Sequence, residues 1–211
     1  MTKKTAPTST TYKALQAAYD HMNKELFNGE LPDCLITLQR KSKARGYFCQ
    51  GRFRHMESGN ATDEIALNPQ AFEGRTAKMI LSTLAHEMVH LWQAHHGKPS
   101  RSGYHNREWA LRMMSVGLAP SDTGLPGGKQ TGQSMSHYVE PGGPFDLVAD
   151  EMLKRGMFPK YMDSVTDQGK AGKQSKVTYI CPQCDQRAWA KPGALLMCGQ
   201  CVVGMVIKED L

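Results

Sequence analysis

From Thr76 to His96 the chain reads TAKMILSTLAHEMVHLWQAHH, with no Gly or Pro until Gly97 and Pro99. Such a stretch folds as one long helix, capped by Thr76 and stopped by Gly97. Ile80, Leu84, Met88 and Leu91 form one stripe, and Met79, Thr83, His86 and His90 an adjoining one, so the helix is expected to be buried on most of its surface. Inside it lies the pentad His86-Glu87-Met88-Val89-His90. Residues four apart share a helix face, so both imidazoles can grip one zinc ion while Glu87 leans over the ion's free side. Zinc acidifies a bound water, and a carboxylate so placed takes its proton as the water attacks a carbonyl carbon. The plain alternative is a pair of neutral core histidines satisfied by hydrogen bonds. The glutamate beside the first histidine favours the metal.

A catalytic zinc takes three protein ligands and keeps a fourth position open. His96 has the spacing of the third metzincin histidine, but those enzymes carry Gly where this chain has Gln93, and an unbroken helix turns His96 to another face. His95 is also off the stripe. His105 follows the turn-forming segment GKPSRSG, which can fold the chain back, and Glu108 would serve if the set were two histidines and a carboxylate. On physical grounds His105 leads Glu108 and His96.

These residues resemble a known family. HEMVHLWQ, then GYHNREW with His105 fifteen positions after His90, and upstream ELFNGELP at Glu25 to Pro32, are similar to the SprT-like metallopeptidases, the group that includes Spartan. The resemblance implies that His86, His90 and His105 bind zinc and that Glu87 is the catalytic base. Tyr104 between Gly103 and His105, with Asn106-Arg107 after it, departs from the family's common Gly and Pro at this loop.

A second signal stands near the other end. Cys181-Pro-Gln-Cys184 and Cys198-Gly-Gln-Cys201 are two C-x-x-C knuckles separated by 13 residues, enough for a hairpin between them. Four thiolates close a tetrahedron, so this zinc is expected to be structural. About 35 residues bury too little apolar surface to fold alone, and metal binding supplies the difference. KVTYICPQC, RAWAKPG and VVGMVIK read as short strands of a zinc ribbon at 177–211. Disulfides or a redox pair are the rival readings. No secretory leader is evident in the polar MTKKTAPTST, and no helix follows the first knuckle. The resembled family also often ends in such a ribbon.

Along the chain, residues 1–10 are expected to be flexible. A helix follows over Thr11 to Phe27, with Leu15, Tyr19, Met22 and Leu26 at helical spacing. Three strands come next, CLITLQR, RGYFCQGRF and EIALNP, and then the metal helix. A helix over Asn106 to Val116, a long Gly/Pro/Ser-rich loop from Gly117 to Gly143 that could cover the cleft, and a helix over Phe145 to Lys154 complete a domain at 11–160. Residues 161–176 read as a linker. The fold class is therefore α+β, a zincin-like core with a three-stranded sheet and the pentad helix, plus the ribbon. EIALNP or RGYFCQGRF is expected to line the cleft as an edge strand that holds substrate. His137-Tyr138 is a candidate oxyanion donor. Cys34 and Cys49 read as small buried hydrophobes, and His21 and His55 as surface residues.

No apolar run approaches the 18 or so residues of a membrane span. The expected location is cytoplasmic, nucleoid-associated if the source is bacterial or phage. The net charge of +6 is concentrated: Arg40, Lys41, Lys43, Arg45, Arg52 and Arg54 fall within fifteen residues that hold no acidic group. With Tyr47, Phe48 and Phe53 interleaved, this pattern suits phosphates and unstacked bases. Lys173 and Lys176 extend the basic character toward the ribbon. Arg45, Arg52, Arg54, Lys173 and Lys176 are thus the candidate nucleic-acid contacts, although a solvated basic face explains the same charge. The resemblance adds a DNA-associated or DNA-crosslinked protein as substrate, hence a role in DNA-protein crosslink repair. The expected activity is a zinc-dependent endopeptidase with one catalytic and one structural zinc. Its rival is a non-catalytic nucleic-acid adaptor in which Glu108 closes the pentad site. A carboxylate-poor pentad argues against a Mg²⁺ nuclease.

Overall fold

A computed structural model describes residues 6–165 and 176–208. The chain divides into two compact units, Met1–Val165 and Thr166–Leu211. The described residues form a mixed α+β protein with small sheets and four α-helices.

In the first unit, α1 spans Pro7–Phe27. It begins four residues before the sequence expectation, so residues 7–10 are helical. Proline at the first helical position has its φ already set, and the Thr10 amide and hydroxyl both donate to the Ala6 carbonyl. Its stripe is the expected one, with Leu15, Tyr19, Met22 and Leu26 all buried. Asn28 ends the helix in the left-handed region, a conformation Asn tolerates. Residues 1–5 lie outside the described residues.

Strands β1 (Leu35–Leu38), β2 (Gly46–Arg54) and β3 (Ala61–Leu67) form one sheet in the order β1-β3-β2. β1 runs parallel to β3 and β2 antiparallel. β3 is therefore central, which corrects the expectation that EIALNP might be an edge strand; β2 is an edge. A single 3-10 turn, Pro69–Phe72, leads to helix α2, Ala77–His96. The Thr76 side chain accepts from the Met79 amide and Gly97 closes the helix, as its sequence dictates. Ile80, Leu84, Met88 and Leu91 are buried in the core that α2 shares with α1 and the sheet. Met79 at the start of the second stripe is 46% exposed, so burial there begins one turn later.

Helix α3 (Arg107–Ser115) is capped by the Asn106 side chain, and α4 (Pro144–Lys154) follows. Lys78 ties α2 to α4 by reaching Asp146 at 2.5 Å and Asp150 at 2.6 Å. The segment 117–143 is not a structureless loop. It contains β4 (Leu118–Ser121) and β5 (Ser136–Val139), paired antiparallel from Leu118↔Val139 to Ser121↔Ser136. Pro120 and the flanking glycines hide these short strands from a pattern search. Residues 161–165 belong with the first unit, because Arg40 donates to Asp163 at 2.9 Å and the Asp163 amide to the Pro69 carbonyl at 3.2 Å.

In the second unit, β6 (Val177–Ile180), β7 (Arg187–Ala190) and β10 (Val206–Ile207) form a sheet in the order β10-β6-β7. β8 (Met197–Cys198) and β9 (Val203–Gly204) pair beside them. Its buried apolar residues are only Tyr179, Ile180, Cys181 and Cys198 among those described. No helix among the described residues is long and apolar enough to cross a membrane.

Candidate metal centre

The α2 spacing places His86 and His90 one turn apart on the same face, with ring centroids 5.1 Å apart. His105 joins them. The three residues each offer a nitrogen, all within 4.8 Å of one another. The Nε2 atoms of His90 and His105 are 3.1 Å apart, close to the roughly 3.3 Å separating two nitrogens on one tetrahedral zinc. Burial pushes the His90 imidazole down to about 3 and lowers His86 and His105, so all three present lone pairs at neutral pH. A donor set of three neutral imidazoles fits zinc.

His105 is brought in by two turns. At Gly103, φ is +72° and a Cβ would stand 2.6 Å from Gln133 Nε2, so this position needs glycine. His105 and Gly132 then exchange main-chain hydrogen bonds of 2.8 and 3.1 Å, and His105 Nδ1 lies 3.3 Å from the Gly132 carbonyl. That partner keeps the proton on Nδ1 and leaves Nε2 to face His90. The 117–143 segment thus holds one of the three histidines in place.

The rival third ligands are engaged elsewhere. Glu108 Oε2 accepts from Gln93 Nε2 and the Lys98 amide, both at 2.7 Å. These bonds hold its carboxyl below the usual glutamate value, the Lys98 amide contributing most. His96 is exposed, stacks on Trp92 and reaches the Glu30 carbonyl, while His95 pairs with Asp63 at 2.6 Å. Gln93, standing where metzincins have glycine, continues the helix and also donates to Asn106, the α3 cap, at 2.8 Å.

Glu87 is 6% exposed. Burial pushes its carboxyl up to about 8, against the opposing influence of Lys41 and of the Phe48 amide that donates to it. Edge strand β2 closes over this carboxylate at Gly46, where a Cβ would be 2.9 Å from the Ala66 carbonyl oxygen and 3.1 Å from Glu87 Oε1.

Two residues that sequence reasoning missed or misassigned complete the surroundings. Trp109 is fully buried, its ring 4.3 Å from that of His105, 5.0 Å from His86 and 5.4 Å from His90. It forms an apolar floor under all three imidazoles. Its position four residues after His105, at the first turn of α3, was the available signal. His137 is not free to donate to an oxyanion, because Nδ1 is 3.1 Å from His86 Nδ1 and Nε2 is 2.9 Å from Ser82 Oγ. Burial pushes it down to about 4, helped by the charges of Arg75 and Arg45. Its neighbour Tyr138 pairs with Ala119 in the two-stranded sheet.

The basic candidates of the first unit differ in their surroundings. Arg45 donates to Ser136 at 3.3 Å beside His137, while Arg52 faces the buried Glu64 at 3.9 Å and Arg54 is exposed farther along β2. Phe48 packs against the core, and Lys41 sits over the Tyr47 ring at 4.2 Å. Lys176 is exposed at the start of the second unit; Lys173 lies outside the described residues. His21 is largely covered and faces Glu151 at 3.5 Å, which corrects its surface assignment. Cys34 and Cys49 are half-buried and unpaired, burial pushing the Cys34 thiol up to about 12.

Cys181, Cys184, Cys198 and Cys201 also converge, their sulfurs within 4.8 Å of one another. Cys184 and Cys198 are 3.6 Å apart, near the roughly 3.8 Å expected of two thiolates on one zinc. The main-chain amides of Cys201 and Gln200 aim at Cys198 and lower its thiol to about 7, while crowding by the other sulfurs raises Cys201. Within this knuckle Cys198 is the sulfur that ionises more readily, and a cation would relieve the crowding at Cys201.

An uncharacterized protein in the mucB 3' region of Salmonella typhimurium is 54% identical to this chain over 59 residues, 28% of this chain and 80% of that protein. The SprT-like family model matches residues 15–130, which include α1 from Leu15 onward, the three-stranded sheet, α2 and His105. More than half of the sequence is matched, and the chain belongs to the SprT-like family.

Proposed function

We propose that this protein is a zinc-dependent endopeptidase with a zincin-like core, acting on proteins associated with or crosslinked to DNA. The observation that carries the peptidase reading is the cluster of three imidazoles converging on one point beside a buried glutamate. His86, His90 and His105 would hold the catalytic zinc, and Cys181, Cys184, Cys198 and Cys201 a structural one. Bound zinc supplies Lewis acidity, which acidifies water and polarises a carbonyl. Glu87 is the proton acceptor, and the dry pocket that raises its affinity for a proton suits it to hold that proton and hand it to a leaving amine. Edge strand β2, closed over Glu87 at Gly46, is suited to align an extended substrate by strand addition. Glu108, which a closed adaptor site would require as fourth ligand, is already committed to Gln93 and Lys98.

Glu87→Gln tests the assignment. Zinc content and folding should be unchanged while cleavage of an unfolded protein falls by a factor on the order of 10² to 10⁴; unaltered cleavage sinks it. The DNA component draws on the +6 charge and on exposed Arg54 and Lys176. Affinity for single- and double-stranded oligonucleotides should drop steeply with salt and drop further in Arg52→Ala/Arg54→Ala. Absence of binding at low salt removes DNA from the proposal.

A further inference from the structure

A metal-binding imidazole works only if the nitrogen facing the ion carries a lone pair, and the hydrogen bond made by its other nitrogen decides this. For His105 the Gly132 carbonyl serves that purpose. For His86 the partner is unusual, because it is a second imidazole and not a carboxylate or a carbonyl.

His86 Nδ1 and His137 Nδ1 are 3.1 Å apart, His137 Nε2 and Ser82 Oγ are 2.9 Å apart, and Ser82 Oγ donates to the Met79 carbonyl at 2.9 Å. A carbonyl only accepts, so the Ser82-to-Met79 hydrogen bond, once made, sets the direction of every other hydrogen in the chain. With the Ser82 hydrogen on Met79, Ser82 accepts from His137 Nε2–H. The lone pair of His137 is then on Nδ1 and accepts from His86 Nδ1–H, which leaves His86 Nε2 bare. His137 itself is outside the three-histidine cluster, although it lies within hydrogen-bond reach of one member. It stands on β5, paired with Pro120 of β4, so a short sheet and not a free loop fixes its ring.

We propose that His137 is the positioning residue of His86, accepting its Nδ1 hydrogen and fixing the tautomer in which Nε2 can take a metal ion, with Ser82 setting the tautomer of His137 in turn. The 117–143 segment then orients two of the three imidazoles, His105 through Gly132 and His86 through His137. The proposal rests on reading the three-histidine cluster as a zinc site.

Zinc affinity of the full-length protein, measured by competition with a chromophoric chelator, tests it. Wild-type protein should hold two zinc ions per chain. His137→Phe keeps a ring without an acceptor, and should bind the first-unit zinc 10- to 100-fold more weakly while the ribbon zinc is unmoved. His137→Asn, whose Oδ1 falls near the position of Nδ1, should recover most of that loss. Ser82→Ala should lose less than His137→Phe. Unchanged affinity in His137→Phe overturns the proposal, as does an equal loss in the Phe and Asn variants, which would mean a packing role. Long-range proton–nitrogen NMR on zinc-loaded wild-type protein needs no variant to fold. It should find the His137 proton on Nε2, and a proton on Nδ1 overturns the assignment. A wild-type chain holding zinc only in the ribbon would defeat the metal reading itself, a result distinct from two zincs with an indifferent His137.

Discussion

In the first unit the imidazoles rest on a packed core: Leu84, Ala85, Met88, Val89 and Trp109 are all fully buried, and α2 is one continuous, capped helix. In the second, four sulfurs are joined by turns and strands of two to four residues, with Tyr179 and Ile180 the only buried residues besides two of the cysteines themselves, among those described. One cluster is positioned by a core, and the other must position what surrounds it. Under the proposed function, the contrast is the one expected between a metal that serves chemistry and a metal that serves folding.

Chelation is the strongest way to break this comparison. Removing metal at neutral pH should unfold the second unit outright, since roughly 10 kcal/mol or more of apparent binding free energy in such ribbons is folding free energy. The first unit should keep its dispersed amide NMR signals. Cys198→Ser should reproduce the ribbon's collapse in the presence of zinc, and loss of both sets of signals would show that the triad also holds its unit together. Next in size is a pair of tryptophans. Trp109→Ala removes the fully buried floor of the triad and should cost about 3–5 kcal/mol in urea unfolding of the first unit. Trp189, 66% exposed in the ribbon, should cost within about 0.5 kcal/mol when replaced by Ala. Similar costs at the two positions would erase the distinction.

Gly46→Ala sharpens the comparison at the level of the site. The added methyl would meet backbone oxygen on one side and the Glu87 carboxylate on the other, so β2 must move off α2. The expected cost is about 1–3 kcal/mol, with cleavage activity falling more than zinc affinity, because β2 touches Glu87 while the imidazoles lie on other elements. Equal losses in both measurements would mean that the sheet, and not only α2 and the 117–143 segment, holds the triad.

How much of this was legible in the sequence follows from the range of the interactions. α1 and α2 were readable because helical period, Thr76 and Gly97 are local signals, and the knuckles because each is a four-residue turn. The choice among His105, Glu108 and His96 was not settled by spacing, since Gly132 and Lys98, which decide it, act through space across 27 and 10 residues. His137 was noticed for the wrong reason: its partners Ser82 and His86 lie 55 and 51 residues away, and nothing near it in sequence announces them. β4 and β5 stayed hidden because Pro120 and the surrounding glycines mark turns more strongly than four-residue strands mark themselves.

The smallest expected effect tests whether the segment carrying His105 is held by protein interactions alone. Glu108 ties the end of α2 to α3 through Gln93 and the Lys98 amide, and those bonds hold its carboxyl below the ordinary value of 4.5. A carboxyl with a depressed folded-state pKa contributes stability above the unfolded value and loses it as pH falls through the folded one. The contribution should therefore be complete above about pH 5 and fade below the ordinary value of 4.5. Because the group is partly exposed, it amounts to no more than about 1 kcal/mol. Glu108→Gln keeps an oxygen that accepts both bonds but cannot titrate. The wild-type melting temperature of the chelated protein should exceed that of Glu108→Gln at pH 6, and the difference should shrink as pH falls below 4.5. Taking the difference between the two proteins cancels the other carboxylates depressed in the same range, such as Asp146 on Lys78. A gap that persists at low pH would mean that packing, and not the charge-assisted bonds, fastens α3 to α2, so the metal-free positioning of His105 would need another anchor.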